Sequence, residues 1–179
     1  MKHQDEQLKL WIKIRKGNQF AFDKLYKFHV QMLFNYGIKL SNDRQLIQDC
    51  IQELFINLWK NKENLNLNHS VKQYLFISLR HLIIRKQQKI NPISSTENFE
   101  QLGLSVITPD VENLTFKNKK IQTVKAAIQH LPKRQKEAIF LKYFESLSYD
   151  EIASVMDIQI SAVYKLVSQA IKNLKTKLS

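Results

Sequence analysis

The sequence predicts an all-α protein: two small helical domains joined by an extended acidic linker, the second domain ending in a helix-turn-helix. Three observations predict it. Apolar residues recur at i, i+3 and i+4 along most of the chain, the period of a helix with one buried face. Only three glycines and three prolines occur in 179 residues, too few for a turn-rich β architecture. Charge is also partitioned along the chain. Residues 1–90 hold 16 basic and 7 acidic side chains, a balance of +9. Residues 91–115 hold no basic residue and four acidic ones, Glu97, Glu100, Asp110 and Glu112, a balance of −4. Residues 116–179 hold 12 basic and 5 acidic residues, or +7. The middle stretch contains two of the three prolines and no sustained periodicity, so it reads as a linker between domains 1–90 and 116–179. A solvated spacer without function is the alternative reading of it.

In the first domain, Leu8, Trp11 and Ile12 form the stripe of a short helix that Gly17 terminates. Asn18 can cap the next, where Phe22, Leu25, Tyr26, His29, Leu33 and Tyr36 follow helical spacing. Asn42 or Ser41 caps a third, striped by Leu46, Ile47, Cys50, Ile51, Leu54, Phe55, Leu58 and Trp59. The other face of that helix shows Asp49, Gln52, Glu53 and Ile56. Acidic groups repel nucleic acid, so this face points to a basic protein partner; a merely solvated face is the alternative. The polar loop 61–69 carries Asn64, Asn68 and His69, which can hydrogen-bond a base edge, although such composition also suits an ordinary connector. Ser70 caps a fourth helix running to Lys89, with Lys72, Gln73, Tyr74, Arg80, His81, Arg85, Lys86 and Lys89 as surface groups. Cations interleaved with Tyr74 and Phe76 suit phosphate contacts and stacking on unpaired bases; Phe76 fits a core position equally well.

The second domain carries the clearest motif. Ser148 and Glu151 have capping-box spacing and start a short helix that runs through Met156. Asp157 falls where the chain must turn, and Asp tolerates the left-handed conformation better than most residues. Ser161 can cap a second helix, whose apolar stripe is Val163, Leu166, Val167, Ala170, Leu174 and Leu178. The opposite stripe is Tyr164, Lys165, Ser168 and Lys172. A helix packed on one face and offering donors and charges on the other suits a major groove; an amphipathic core helix is the alternative.

Composition narrows the function classes. The net charge of +12 favours an acidic polymer as partner. No run of about 18 apolar residues and no signal pattern occurs, so membrane insertion is not expected and a cytoplasmic location is. The single Cys50 cannot form an internal disulfide and lies on an apolar stripe, as a buried, inert thiol would. No cofactor or metal is expected. The five histidines lack metal-ligand spacing, glycine-rich phosphate loops are missing, and Asp49 and Glu53 share a helix face without a third carboxylate or histidine. Catalysis by this chain alone is therefore not expected.

In order along the chain, GNQFAFDKLYKFHVQMLFNYGIKL, DRQLIQDCIQELFINLW, SVKQYLFISLRHLIIRKQQK and LPKRQKEAIFLKYFESLSYDEIASVMDIQISAVYKLVSQAIKNL resemble the extracytoplasmic-function sigma factors of bacterial RNA polymerase. The segment IQELF, Ile51 to Phe55, stands where that family usually has valine-glutamine-glutamate-valine-phenylalanine. The resemblance implies that Asp49, Gln52, Glu53 and Ile56 meet core RNA polymerase at its clamp coiled coil. It implies −10 promoter contacts by Asn64, Asn68, His69, Tyr74, Arg80, His81, Arg85 and Lys86, with the 61–69 loop holding a flipped base. It implies −35 contacts by Ser161, Tyr164, Lys165, Ser168, Gln169 and Lys172, with Lys133, Arg134 and Lys142 holding phosphates. An acidic linker that mimics RNA in the polymerase exit path is implied too, as is an anti-sigma factor, often membrane-bound, as a further partner. Three departures stand out. His81 replaces the family's usual asparagine, Asp157 replaces a turn glycine, and the recognition helix has no Arg for bidentate guanine readout, which tilts its preference toward A·T pairs. The alternative function is a helix-turn-helix regulator that acts without being a polymerase subunit.

Overall fold

The computed structural model describes residues 2–64, 70–90 and 119–178, all placed in helices and short turns. The chain divides into two compact units, the first ending at Ile93 and the second starting at Ser94. The expected linker, 91–115, lies outside the described residues.

The first unit packs four helices, α1 (Lys2–Arg15), α2 (Gln19–Leu40), α3 (Arg44–Lys60) and α4 (Val71–Ile90). Gly17 closes α1 at φ +80°, the left-handed conformation that glycine adopts without a Cβ penalty. Its amide reaches the Ile14 carbonyl at 2.8 Å. Asn18 then caps α2 by accepting from the Ala21 amide at 2.8 Å. The cap of α3 differs from expectation. Asp43, not Asn42 or Ser41, accepts from the Leu46 amide (3.0 Å), while Ser41 Oγ accepts from the Asp43 amide (3.1 Å). Ser70 caps α4 as expected, with its Oγ accepting from the Gln73 amide at 3.1 Å.

The core joins Ile14 of α1, Leu25, Leu33 and Tyr36 of α2, Ile47 and Leu58 of α3, and Leu75, Phe76, Leu79 and Ile83 of α4, all fully buried. The α1 stripe is Trp11 and Ile14, three residues apart on one face; Ile12, about 100° round the helix from Trp11, is 49% exposed. Gly37 lets α2 approach α3, since a Cβ there would collide with the Ile47 side chain. Cys50 is buried, and burial pushes its thiol pKa up, as befits an inert thiol.

The second unit contains α5 (Lys119–Gln129), α6 (Lys133–Ile139), α7 (Tyr149–Met156) and α8 (Ile160–Leu178). The end of α6 widens into a π turn over Phe140–Phe144, closed by the Glu145 amide on the Phe140 carbonyl at 3.1 Å. The left-handed Ser146 (φ 57°) then redirects the chain into α7. Both halves of the capping box form: Ser148 Oγ accepts from the Glu151 amide (3.2 Å), and Glu151 accepts from the Ser148 amide (2.8 Å). Asp157 makes the turn in the left-handed conformation, φ 53° and ψ 54°. Ser161 does not cap α8. The helix starts at Ile160, where the Gln159 carbonyl accepts from the Ala162 and Val163 amides, so Ser161 lies inside the first turn. Helix α8 packs against α5, α6 and α7 through Val163, Val167 and Ala170. Asn173 donates to Gln135 Oε1 (2.9 Å), tying α8 to α6.

Candidate nucleic-acid interface

Helix α3 buries one face completely and leaves the other open. Asp49 and Gln52 are exposed, and Ile56 is 49% exposed on the same side of the helix. Beside them, α2 and α3 enclose a groove of about 520 Å³ lined by Tyr26, Val30, Phe34, Gln48, Asp49 and Gln52 among others. Sequence reasoning missed this groove. Its only signal is that α2 carries more apolar residues than one core stripe requires; Tyr26, assigned to that stripe, is 40% exposed at the groove.

Glu53 is different from its neighbours on α3. Its carboxylate bridges to Arg85 (3.0 Å) and Lys86 (2.9 Å) on α4. The Lys86 hydrogen bond holds the Glu53 carboxyl below the usual carboxylate range, against the opposing pull of desolvation. The same bond raises the Lys86 ammonium above the usual lysine value. A residue expected to face a partner and two residues expected to face DNA are thus ion-paired to one another.

Along α4, the expected surface groups separate into two classes. His81 and Arg85 are exposed, and Tyr74 and Lys86 are half-buried. Gln73 (4% exposed) and Arg80 (9%) are buried, contrary to the expectation that both lie on the surface. Helices α1, α2 and α3 all pack on α4, so it buries a wider arc than one stripe. Arg80 falls within that arc beside Leu79 and Ile83. Phe76 takes the core alternative, with its ring edge-on to Tyr36 at 4.8 Å between centroids. Asn64 is exposed; Asn68 and His69 lie outside the described residues.

In the second unit, Ser161, Tyr164, Lys165, Ser168, Gln169 and Lys172 are all exposed on α8. Lys133 and Arg134 are exposed in the first turn of α6. Lys142 is not a free surface cation: its Nζ donates to the Leu147 carbonyl (3.4 Å) and sits 4.3 Å from the centre of the Tyr149 ring. Tyr149 in turn stacks on Tyr164, with centroids 4.1 Å apart and planes inclined by 22°. Sequence analysis passed over Tyr149, since nothing in its spacing from Tyr164 marks a contact across the turn. Among the described residues, no cluster of metal-ligating side chains occurs, and no helix is long and apolar enough to cross a membrane.

Two family models match the chain: Sigma-70 region 2 over residues 25–90 and Sigma-70, region 4 over residues 121–174. The chain is 25% identical to the RNA polymerase sigma-H factor of Pseudomonas aeruginosa, an alignment covering 93% of this chain and 91% of that one. It is 27% identical to the ECF RNA polymerase sigma-E factor of Escherichia coli, over 92% and 90% of the two chains. In fold it is similar to the sigma factor RpoE of Bartonella quintana, solved in complex with the anti-sigma factor NepR (TM-score 0.64, 22% identity, 88% and 96% covered). The two regions together account for most of the described residues, region 2 preceding region 4, and the chain belongs to the sigma-70 family, as an extracytoplasmic-function RNA polymerase sigma factor.

Proposed function

We propose that the two units divide the work of a sigma factor between them. Residues 1–90 bind core RNA polymerase and the −10 element, 91–115 link, and 116–179 bind the −35 element. The observation that carries the second half is α8 itself. It is packed on α5, α6 and α7 through one face and presents six exposed polar side chains or rings on the other, behind a capped helix and a left-handed turn. Lys133 and Arg134 supply phosphate contacts that set its register.

In the first unit, Asp49, Gln52 and Ile56 form the polymerase-binding face, continuous with the α2–α3 groove. The −10 strand meets His81, Arg85, Lys86 and Tyr74 on α4, with Asn64, Asn68 and His69 nearby in sequence. Arg80 supports this helix from its buried side. The chain contributes no catalytic group; RNA synthesis is the chemistry of the polymerase it joins, in the cytoplasm where that enzyme works. Tethering two DNA-binding units raises the effective concentration of the second contact once the first is made. An anti-sigma factor, membrane-bound or free, is a fitting regulator, in line with the complex in which the Bartonella relative was solved.

The test is transcription by purified core polymerase on sheared genomic DNA, with RNA 5′ ends mapped with and without this protein. New start sites preceded by a shared pair of elements are expected. The discriminating variant is Asp49→Lys, because Glu53 also closes an internal ion pair. Asp49→Lys should abolish the starts while DNA binding by α8 persists. If the variant initiates normally, the polymerase face lies elsewhere. If even the unmodified protein yields no starts while binding DNA, the regulator reading replaces this one.

A further inference from the structure

The stack that joins α7 to α8 has a consequence for base reading. We propose that Tyr149 is a positioning residue that fixes the ring of Tyr164, and that Tyr164 reads the C5-methyl group of a thymine in the −35 major groove. This rests on the assignment of α8 to that groove.

Tyr164 lies in the second turn of α8 and is 52% exposed. On an exposed helical face a tyrosine ordinarily samples several rotamers, and ordering it on binding costs affinity. Here one face of its ring is already covered by Tyr149 at a centroid distance of 4.1 Å. Contact between aromatic rings is favourable beyond the area it buries. Tyr149 is itself anchored. It is the first residue of α7, inside the Ser148–Glu151 capping box, and the Lys142 ammonium lies 4.3 Å from its ring centre. Lys142 is held in place by the Leu147 carbonyl at 3.4 Å. The order runs from cap and cation to Tyr149 and from Tyr149 to Tyr164, and it leaves one apolar ring projecting from α8 in a set direction.

The chemistry of that ring selects its target. Among major-groove base edges, only thymine offers a methyl group, and apolar side chains recognise it by contact. The neighbours Lys165, Ser168 and Gln169 supply polar contacts but no other aromatic surface. With no arginine on α8, thymine recognition by an immobilised ring becomes the sharpest discrimination this face can make.

The experiment uses the full-length protein with core polymerase on a promoter found by start-site mapping, each −35 thymine being replaced in turn by deoxyuridine, which lacks only the methyl group. At one position, the unmodified protein should lose about fourfold in promoter binding, the value of burying one methyl group. Tyr164→Ala should be indifferent to that replacement. Tyr149→Leu should be equally indifferent although Tyr164 is present, and Tyr149→Phe should restore the discrimination. Should Tyr149→Leu not fold, Tyr149→Met, which keeps apolar bulk without a ring, takes its place. The double variant should bind no worse than Tyr164→Ala alone. A purely structural role for Tyr149 predicts instead a uniform loss on all templates, with the deoxyuridine effect retained; that result overturns the proposal. Indifference of the unmodified protein to every deoxyuridine overturns it too. If binding does not depend on the −35 sequence at all, the assignment of α8 fails first and takes the proposal with it.

Discussion

The two basic surfaces of this protein are built on opposite plans. On α4, two cations assigned to DNA, Arg85 and Lys86, are held by Glu53, and a third, Arg80, is buried within the unit. On α8, the assigned side chains are exposed, and Tyr164 is held by a ring stack. The difference teaches where each surface takes its order from. The face of α4 is organised by charge pairing with α3, the helix proposed to bind polymerase. The face of α8 is organised by apolar packing and one capped turn, and its cations, Lys165 and Lys172, are exposed.

The largest effect should come from the core beneath the first surface. Leu79 is fully buried in α4, and Leu79→Ala should destabilise the first unit by about 2–5 kcal/mol through lost burial and a cavity. Both tryptophans, Trp11 and Trp59, lie in this unit, so urea unfolding followed by tryptophan fluorescence reads it directly. A midpoint unchanged from the parent would mean that α4 is not held by this core.

Ser148→Ala attacks the second plan. It removes the oxygen that accepts from the Glu151 amide and should cost about 1 kcal/mol in the second unit. Far-ultraviolet circular dichroism during urea unfolding measures it. Base preference at −35 should broaden in parallel if α7 orders α8, and stay fixed if α8 is ordered on its own.

The smallest effect on stability belongs to Glu53→Gln. The ion pairs it removes are partly exposed, and such pairs contribute no more than about 1 kcal/mol. Their pH dependence has a definite sign. The folded carboxyl titrates below its unfolded value near ~4.3. Its contribution is therefore complete above that value and is lost as pH falls through the folded pKa. Lys86 titrates above the ordinary lysine value, so its share persists until strongly alkaline pH. The stability difference between parent and variant should be flat across neutral pH and close in acid; a difference that grows in acid would show that the bridge is not its source. In DNA binding the same variant should raise the salt dependence, since two cations gain freedom to replace counterions on phosphate.

Much of this was legible in the chain itself. The helices of the first unit, the Gly17 and Asn18 boundary, the α3 stripe, the capping box and the left-handed Asp157 all follow from local rules, because caps and periodicity act over a few residues. Where several local solutions compete, the sequence leaves a choice. Ser41, Asn42 and Asp43 can each cap α3, and Asp43 does so because the chain direction brings its carboxylate to the Leu46 amide. The sequence places Ile12 in the buried stripe of α1, and the structure buries Ile14 instead.

The composition, the charge partition, the helix periods and the order of the region 2 and region 4 segments follow from the chain alone, since each depends on residue type and spacing. The tertiary structure alone decided that Arg80 and Gln73 are buried, that Glu53 pairs across 32 residues with Arg85, that Lys142 and Tyr149 lie against each other, and that Tyr149 supports Tyr164. Burial of a charged side chain depends on how many helices surround it, and an ion pair or ring stack depends on where distant elements cross. Neither quantity has a period that a single chain can display.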